Sequence, residues 1–307
     1  MRDFLSDDLI DFDPIPHSYT NSRTKKKYLG VTTFIGQFEP QFDVEYWSAR
    51  EAVKRFYGER NYQYARFKNV VSRPEKVNGK ISLVDKNKVF NFILKSSDKS
   101  ALLNLQNEVK IEWKHTNKVA IDKGSAYHQR QEDKLNYNEF RIIETGLVRK
   151  LAPMDQVPDY TINSAGKINL SKYLPDGAYA EILLRNHAYE LCGQADYVFI
   201  ETIGDTRYVD LDDFKTNNKL TTSNPYDTFI KPLDFLQHHK LNIYMIQLNM
   251  YAWMIEQYGF KIRRMSLTHQ PNLTTPPIVH KIHKFVEPDP IKLMLNVRKR
   301  QLEDLNW

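Results

Sequence analysis

One stretch constrains the fold more than any other: Gly193 to Thr216, GQADYVFIETIGDTRYVDLDDFKT. Two β-rich runs flank Gly204-Asp205, and such a pair between them signals a hairpin closed by a two-residue loop. That loop sets Asp196 on the first strand opposite Asp213 on the second, with Cβ atoms roughly 5 Å apart. Like charges so placed destabilise a sheet unless a cation lies between them. Hard divalent cations such as Mg²⁺ prefer carboxylate oxygens.

Side chains alternate faces along a strand. Arg207, Val209, Leu211, Asp213 and Lys215 therefore share one face, and Tyr208, Asp210, Asp212 and Phe214 the other. Parity thus separates Asp213, which points with Lys215 toward Asp196, from its neighbour Asp212. A metal held by two carboxylates beside a lysine suits phosphodiester hydrolysis. The metal polarises a phosphoryl oxygen and lowers the pKa of a bound water, while the lysine orients that water or stabilises developing charge. Asp-x-Lys alone carries little weight in a chain with 38 acidic and 44 basic residues. The apolar context adds weight: Tyr197 to Ile200 on one strand and Val209, Leu211 and Phe214 on the other bury the carboxylates, which then need partners.

At 307 residues the chain is long enough for one large domain or two small ones. No run of about 18 apolar residues suggests a membrane span, and the acidic N-terminus lacks a signal-peptide core, so a cytoplasmic location is expected. The single cysteine, Cys192, excludes an internal disulfide framework and reads as a small buried residue. A net charge of +6 permits a polyanion partner without requiring one, and 18 tyrosines offer surfaces on which bases can stack.

Along the chain, residues 21–27 read as a hairpin turn followed by a β-rich run, YLGVTTFI. Helical spacing marks residues 43–57, two helices at 99–116 and 123–135, and a nearly all-apolar helix at 232–258. Gly124-Ser125 reads as the start of the second of these, with Ser125 as its N-cap. A meander of three strands covers AYAEILLRN, YELCGQADYVFIE and RYVDLDDFKT; two strands and a final helix at 290–305 close the chain. Residues 58–98 are polar and basic, either an insertion that shapes a channel or a surface elaboration.

Several other residues have two readings. His128, with Glu132 one turn on, is either a satisfied helix histidine or a metal ligand. Gln247, inside the apolar helix, needs a partner such as a phosphate or a strand carboxylate. Tyr251, a turn later, is a core tyrosine or a donor to the same group. Glu181 begins the first meander strand, either exposed or completing the carboxylate set. His238-His239 reads as helix surface near the rim.

The ordered set GSAYHQRQE, AEILL, GQAD, DFKT and QLNMY resembles the PD-(D/E)XK nuclease superfamily, in particular the RecB-type and phage-exonuclease branch that includes mitochondrial genome maintenance exonucleases. Gly124 and His128 match its G-x-x-x-H helix, and Gly193 and Asp196 its strand aspartate. Asp213 and Lys215 match the (D/E)-x-K, and Gln247 and Tyr251 the Q-x-x-x-Y. The match covers residues 110–260. It implies an α/β fold, a restriction-endonuclease-like mixed sheet flanked by helices, with residues 1–105 as an N-terminal extension and 106–307 as the nuclease core. It implies Mg²⁺ or Mn²⁺ held by His128, Asp196 and Asp213, with the Phe214 carbonyl as a further ligand. Lys215 would be the catalytic lysine, with Glu181 and, less firmly, Glu132 assisting. Gln247, Tyr251 and Thr216 would lie on the substrate side. Some relatives carry a four-cysteine iron–sulfur cluster, which a chain with only Cys192 cannot build. The implied activity is a DNA exonuclease acting at ends, single-stranded ends included, in phage recombination, replication or DNA degradation, within a host cytoplasm and beside a recombination or replication protein. The alternatives are a structure-selective or sequence-specific endonuclease, or a non-catalytic DNA-binding or assembly protein.

Overall fold

β-Branched and aromatic runs from both halves of the chain meet in one mixed sheet, flanked by helices. The computed structural model describes residues 9–14, 18–58, 69–136, 139–141, 148–272 and 275–305. The N-terminal elements are β1 (Ile10–Asp13), β2 (Ser18–Asn21), β3 (Lys27–Gly30), α1 (Val31–Gly36) and α2 (Val44–Tyr57). Then come β4 (Lys76–Val77), β5 (Lys80–Ile81), α3 (Leu83–Lys95), α4 (Lys99–Asn136), β6 (Glu139–Arg141) and β7 (Val148–Lys150). The C-terminal half holds β8 (Gly177–Asn186), β9 (Leu191–Ile203), β10 (Thr206–Lys215), α5 (Lys240–Glu256), β11 (Lys261–His269), β12 (Ile278–Ile282) and α6 (Pro290–Leu305). The main sheet runs β1-β2-β3-β9-β10-β11-β12, with β8 on the other side of β9. Pairs β3–β9 and β10–β11 are parallel, and the other pairs are antiparallel.

The expected hairpin is present. Ile203 pairs with Thr206, so Gly204-Asp205 is the loop, and Gly204 takes the positive φ of 58° that such a turn requires. The three-strand meander and the two late strands also fall where the sequence places them. β10, α5 and β11 form a parallel crossover, and α5 is buried from Ile246 to Ile255 except at Trp253. Its apolar positions join Val198, Ile200, Val209 and Leu211 of the hairpin in the main core, where Phe34 and Ile35 of α1 and Met294 of α6 also pack.

Three expectations need correction. The run YLGVTTFI is not all strand: β3 ends at Gly30, and Val31 onward turns into α1, which buries Val31, Phe34 and Ile35 on one face. The two helices expected at 99–116 and 123–135 are one 38-residue helix, so Ser125 is an interior position and not an N-cap. No proline interrupts the junction, and packing at both ends of the helix carries it through Gly124. The late helix begins at Lys240 and not at 232: His239 caps it by accepting the Asn242 N–H, and is itself buried. Its neighbour His238 bonds Glu39, so this pair is not free helix surface.

Of the 58–98 region, residues 59–68 lie outside the described residues, as do residues 15–17 of the N-terminal segment. The rest forms the β4–β5 hairpin and α3. Val71, Ile81, Val89 and Ile93 pack with Tyr46, Ala49 and Val53 of α2 and Leu102 of α4 in a second, smaller core. The boundary at 105/106 falls inside α4, which runs without a break from this small core to the sheet.

Candidate functional site

The site grows from a gap in the sheet. Along one side β9 pairs with β8, and along the other it is shared: β3 takes Leu191 and Cys192, and β10 takes Tyr197 onward. Between these two partners, residues 193–196 have no ladder neighbour on that side. Asp196 stands at the end of this gap. The hairpin register holds up to Tyr197–Asp212 and stops one pair short of Asp196–Asp213. The expected facing pair is therefore not a ladder pair. In its place the Asp196 Oδ2 accepts the Phe214 N–H at 2.7 Å, which spreads the strands and anchors the carboxylate.

The same residue interrupts the other ladder. β8 pairs continuously with β9 except at Glu181, directly across from Asp196. Glu181 lies in the middle of β8, not at its start, and has a φ of 51°, a conformation costing a non-glycine residue roughly 1–2 kcal/mol. Such a kink re-aims the side chain and requires support. The Gln194 amide donates to the Glu181 carbonyl at 3.3 Å.

His128 arrives on α4. Its Nδ1 is 3.5 Å from Asp196 Oδ1 and 3.7 Å from Glu181 Oε1. Ligand atoms of His128, Glu181 and Asp196 all lie within 4.8 Å of one another, a donor set of one imidazole and two carboxylates from three separate elements. Gly124, four residues earlier, is not sterically required: a Cβ there would meet Thr216 Oγ1 at an ordinary 3.6 Å.

Asp213 and Lys215 stand beside this set. The Lys215 Nζ is 2.6 Å from Asp213 Oδ2, an ion pair whose carboxylate is buried. Gln247 on α5 reaches Asp213 Oδ1 at 3.4 Å and the Tyr251 hydroxyl at 3.2 Å. The Tyr251 ring abuts Gly193, where an added Cβ would stand 2.3 Å from Cε1. Tyr251 is buried and acts on Gln247 rather than on anything outside the protein. Parity separates the two aspartates as expected: Asp212 points the other way and accepts the Thr268 hydroxyl at 2.9 Å.

Crowded carboxylates leave their mark on proton affinity. Burial pushes Asp213 up to about 6, against the pull of the Lys215 ammonium, and the Asp196 charge adds to the rise. Burial also raises Asp196, against His128 and Lys215. For Lys215, burial works against the charge, but the Asp213 and Asp196 carboxylates outweigh it and hold the ammonium protonated. His128 is likewise raised: burial opposes its charge, and Asp196 and Glu181 overcome it. Too much negative charge is packed here for the protein's own cations, and the donor set suits a hard or borderline divalent ion.

A cleft of about 650 Å³ opens onto His128 and Glu181, walled by Phe12, Gln129, Glu132 and Lys167. Glu132 lies on the His128 face as its spacing implies, but its carboxylate is bonded to Lys167 at 3.2 Å and belongs to the cleft wall rather than the donor set. Thr216 is buried at the end of β10, beside α4. Gln194 and Lys167 had no sequence signal: one is an ordinary strand position, and the other sits in an irregular segment between β7 and β8. No family model matches the chain, and no curated protein matches it.

Proposed function

We propose that this chain is a Mg²⁺- or Mn²⁺-dependent deoxyribonuclease of the PD-(D/E)XK type that hydrolyses phosphodiester bonds at DNA ends. One observation carries the reading: five short motifs spread over residues 124–251 converge on one break in the sheet. His128, Glu181 and Asp196 would hold the ion, with Asp213 beside them. When bound, such an ion polarises a phosphoryl oxygen and makes a water more acidic.

The protein's own residues do the rest. Lys215 is held protonated, so it serves as a fixed positive charge and hydrogen-bond donor to the attacking water or to a phosphoryl oxygen, not as a base. Asp213 fixes that ammonium in place. Gln247 holds Asp213, and Tyr251 holds Gln247 from the buried side. The Phe214 N–H fixes Asp196, and the kink at Glu181 turns its carboxylate toward the same point.

The test uses end-labelled single-stranded, duplex and closed circular DNA with Mg²⁺, in wild type and Lys215→Ala. We expect cleavage of linear substrates that needs the ion and falls by about 100-fold or more in the variant, the scale of removing one charge-stabilising donor. Cleavage in chelator, or cleavage indifferent to Lys215→Ala, sinks the mechanism. Cutting of closed circles would make the enzyme an endonuclease on the same site.

A further inference from the structure

α4 leaves a feature that the catalytic reading does not use. Both its ends are packed, against α2 and α3 at one end and near the site at the other, yet residues 114–122 are exposed all round. Within it Lys110, Lys114 and Lys118 recur every four residues, and Ile121, Ser125 and His128 continue the same stripe at helical spacing. Lys114 and Lys118 make no ion pair among the described residues; of the acids flanking them in sequence, Glu112 is bonded to Arg55 and Asp122 follows Lys118 by one turn. Lys110 is tied to Glu45 of α2 at 2.6 Å, which locks the far end of the stripe to the small helical core.

At that far end stands an aromatic cluster. Phe42, 64% exposed, lies parallel to Trp47 with ring centroids 6.4 Å apart and 5.7 Å from Trp113 of α4. The Arg50 guanidinium lies 5.4 Å over the Trp47 ring. From Trp113 to His128 is fifteen residues of helix, about 22 Å, the reach of about six stacked nucleotides.

We propose that the exposed stripe of α4 and the Phe42–Trp47–Trp113 cluster bind single-stranded DNA, guiding it to the site at His128. The lysines meet phosphates, and the exposed Phe42 face takes a base; stacking is sequence-tolerant and needs a base that is not paired. The lysine stripe leads along α4 to the cleft at His128, which favours a nucleic-acid strand over an acidic protein partner. The assignment of DNA as the ligand rests on the nuclease reading above.

The experiment measures binding by the full chain, in chelator, of a fluorescein-labelled oligo-dT of about 20 nucleotides, a length chosen to exceed the stripe. Lys114→Glu with Lys118→Glu is expected to weaken binding at least about tenfold, and to flatten the slope of log affinity on log salt by about 1.4, for two lost phosphate contacts. Phe42→Ala is expected to weaken it by about fivefold or more without changing the slope. Unchanged melting temperatures show that these exposed substitutions leave the fold intact. Unchanged affinity and slope in the double variant overturn the proposal. So does blunt duplex bound as tightly as single strand with no effect of Phe42→Ala. Hydrolysis of bis(p-nitrophenyl) phosphate, too small to reach the stripe, reports on the nuclease reading separately. It is expected to persist in the stripe variants and to vanish in Lys215→Ala. Stripe-dependent DNA binding without any hydrolysis would defeat the catalytic reading and leave the binding surface standing.

Discussion

At the scale of single residues, the site depends on close fits that sequence types alone do not reveal. Gly193 is a glycine because the Tyr251 ring occupies the space of its side chain. Gly193→Ala is therefore expected to destabilise the fold by about 1–3 kcal/mol, the usual result of forcing a methyl group into a filled space. Through Tyr251 and Gln247 it should also disturb Asp213. Thermal unfolding checks the first effect. Restoring room with Gly193→Ala/Tyr251→Leu should recover stability but not the Gln247 hydrogen bond. Asp85 shows a different kind of fit. Its carboxylate accepts from Lys88, from the Glu75 N–H and from Ser82, the N-cap of α3. The Lys88 bond, then those from Glu75 and Ser82, hold its pKa down at about 2. A carboxyl lowered from the ordinary value near 3.9 contributes stability above that pH and loses it as pH falls toward 2. Asp85→Asn should cost about 1 kcal/mol at neutral pH. In urea titrations between pH 2 and 5, the difference from wild type should shrink as acid is added.

At the scale of elements, α4 is the member that unites the molecule. One helix serves the small core through Leu102, crosses an exposed stretch, and delivers His128 to the sheet. Its exposed middle has no tertiary packing, so intrinsic propensity decides its stability there. Ala120→Gly should cost about 1 kcal/mol and Ala120→Pro about 3 kcal/mol. Ala120 is exposed, so the glycine variant should keep its activity. The proline variant should lose hydrolysis of small phosphodiesters as well as of DNA, since it uncouples the placing of His128. Circular dichroism gives the first comparison, and turnover gives the second. The hairpin makes the complementary point. β9 and β10 are a regular ladder until Tyr197–Asp212, and the carboxylate cluster gathers where the ladder ends.

At the scale of the whole molecule, the sheet and its helices hold a surplus of negative charge at one break. Asp196, Asp213 and Glu181 gather there against His128 and Lys215. A cation that binds only the folded chain stabilises it by mass action, by about 2.7 kcal/mol at a hundredfold excess over its dissociation constant. Calorimetry with Mn²⁺ should therefore show a concentration-dependent rise in melting temperature, absent in Asp196→Asn. Among the described residues no helix is long and apolar enough to cross a membrane.

Local rules were enough for much of this. Strand alternation, loop chemistry and helical spacing in the sequence placed β8–β12, α5's apolar core and α6, and parity alone chose Asp213 over Asp212 for the lysine's side. Those inferences need only neighbours within one element or one turn. Tertiary structure decided the rest. The continuity of α4 across Gly124-Ser125 follows from packing at both its ends. The gap at residues 193–196 exists because two different strands share one side of β9, and the kink at Glu181 lies across β9 from it. The contact of Tyr251 with Gly193 and the pairing of Glu132 with Lys167 join residues far apart in the chain. The sequence by itself determined on what kind of element most of these residues sit, because propensity and periodicity act locally. Only the folded sheet decided which of them share one break, because that distance depends on strand order.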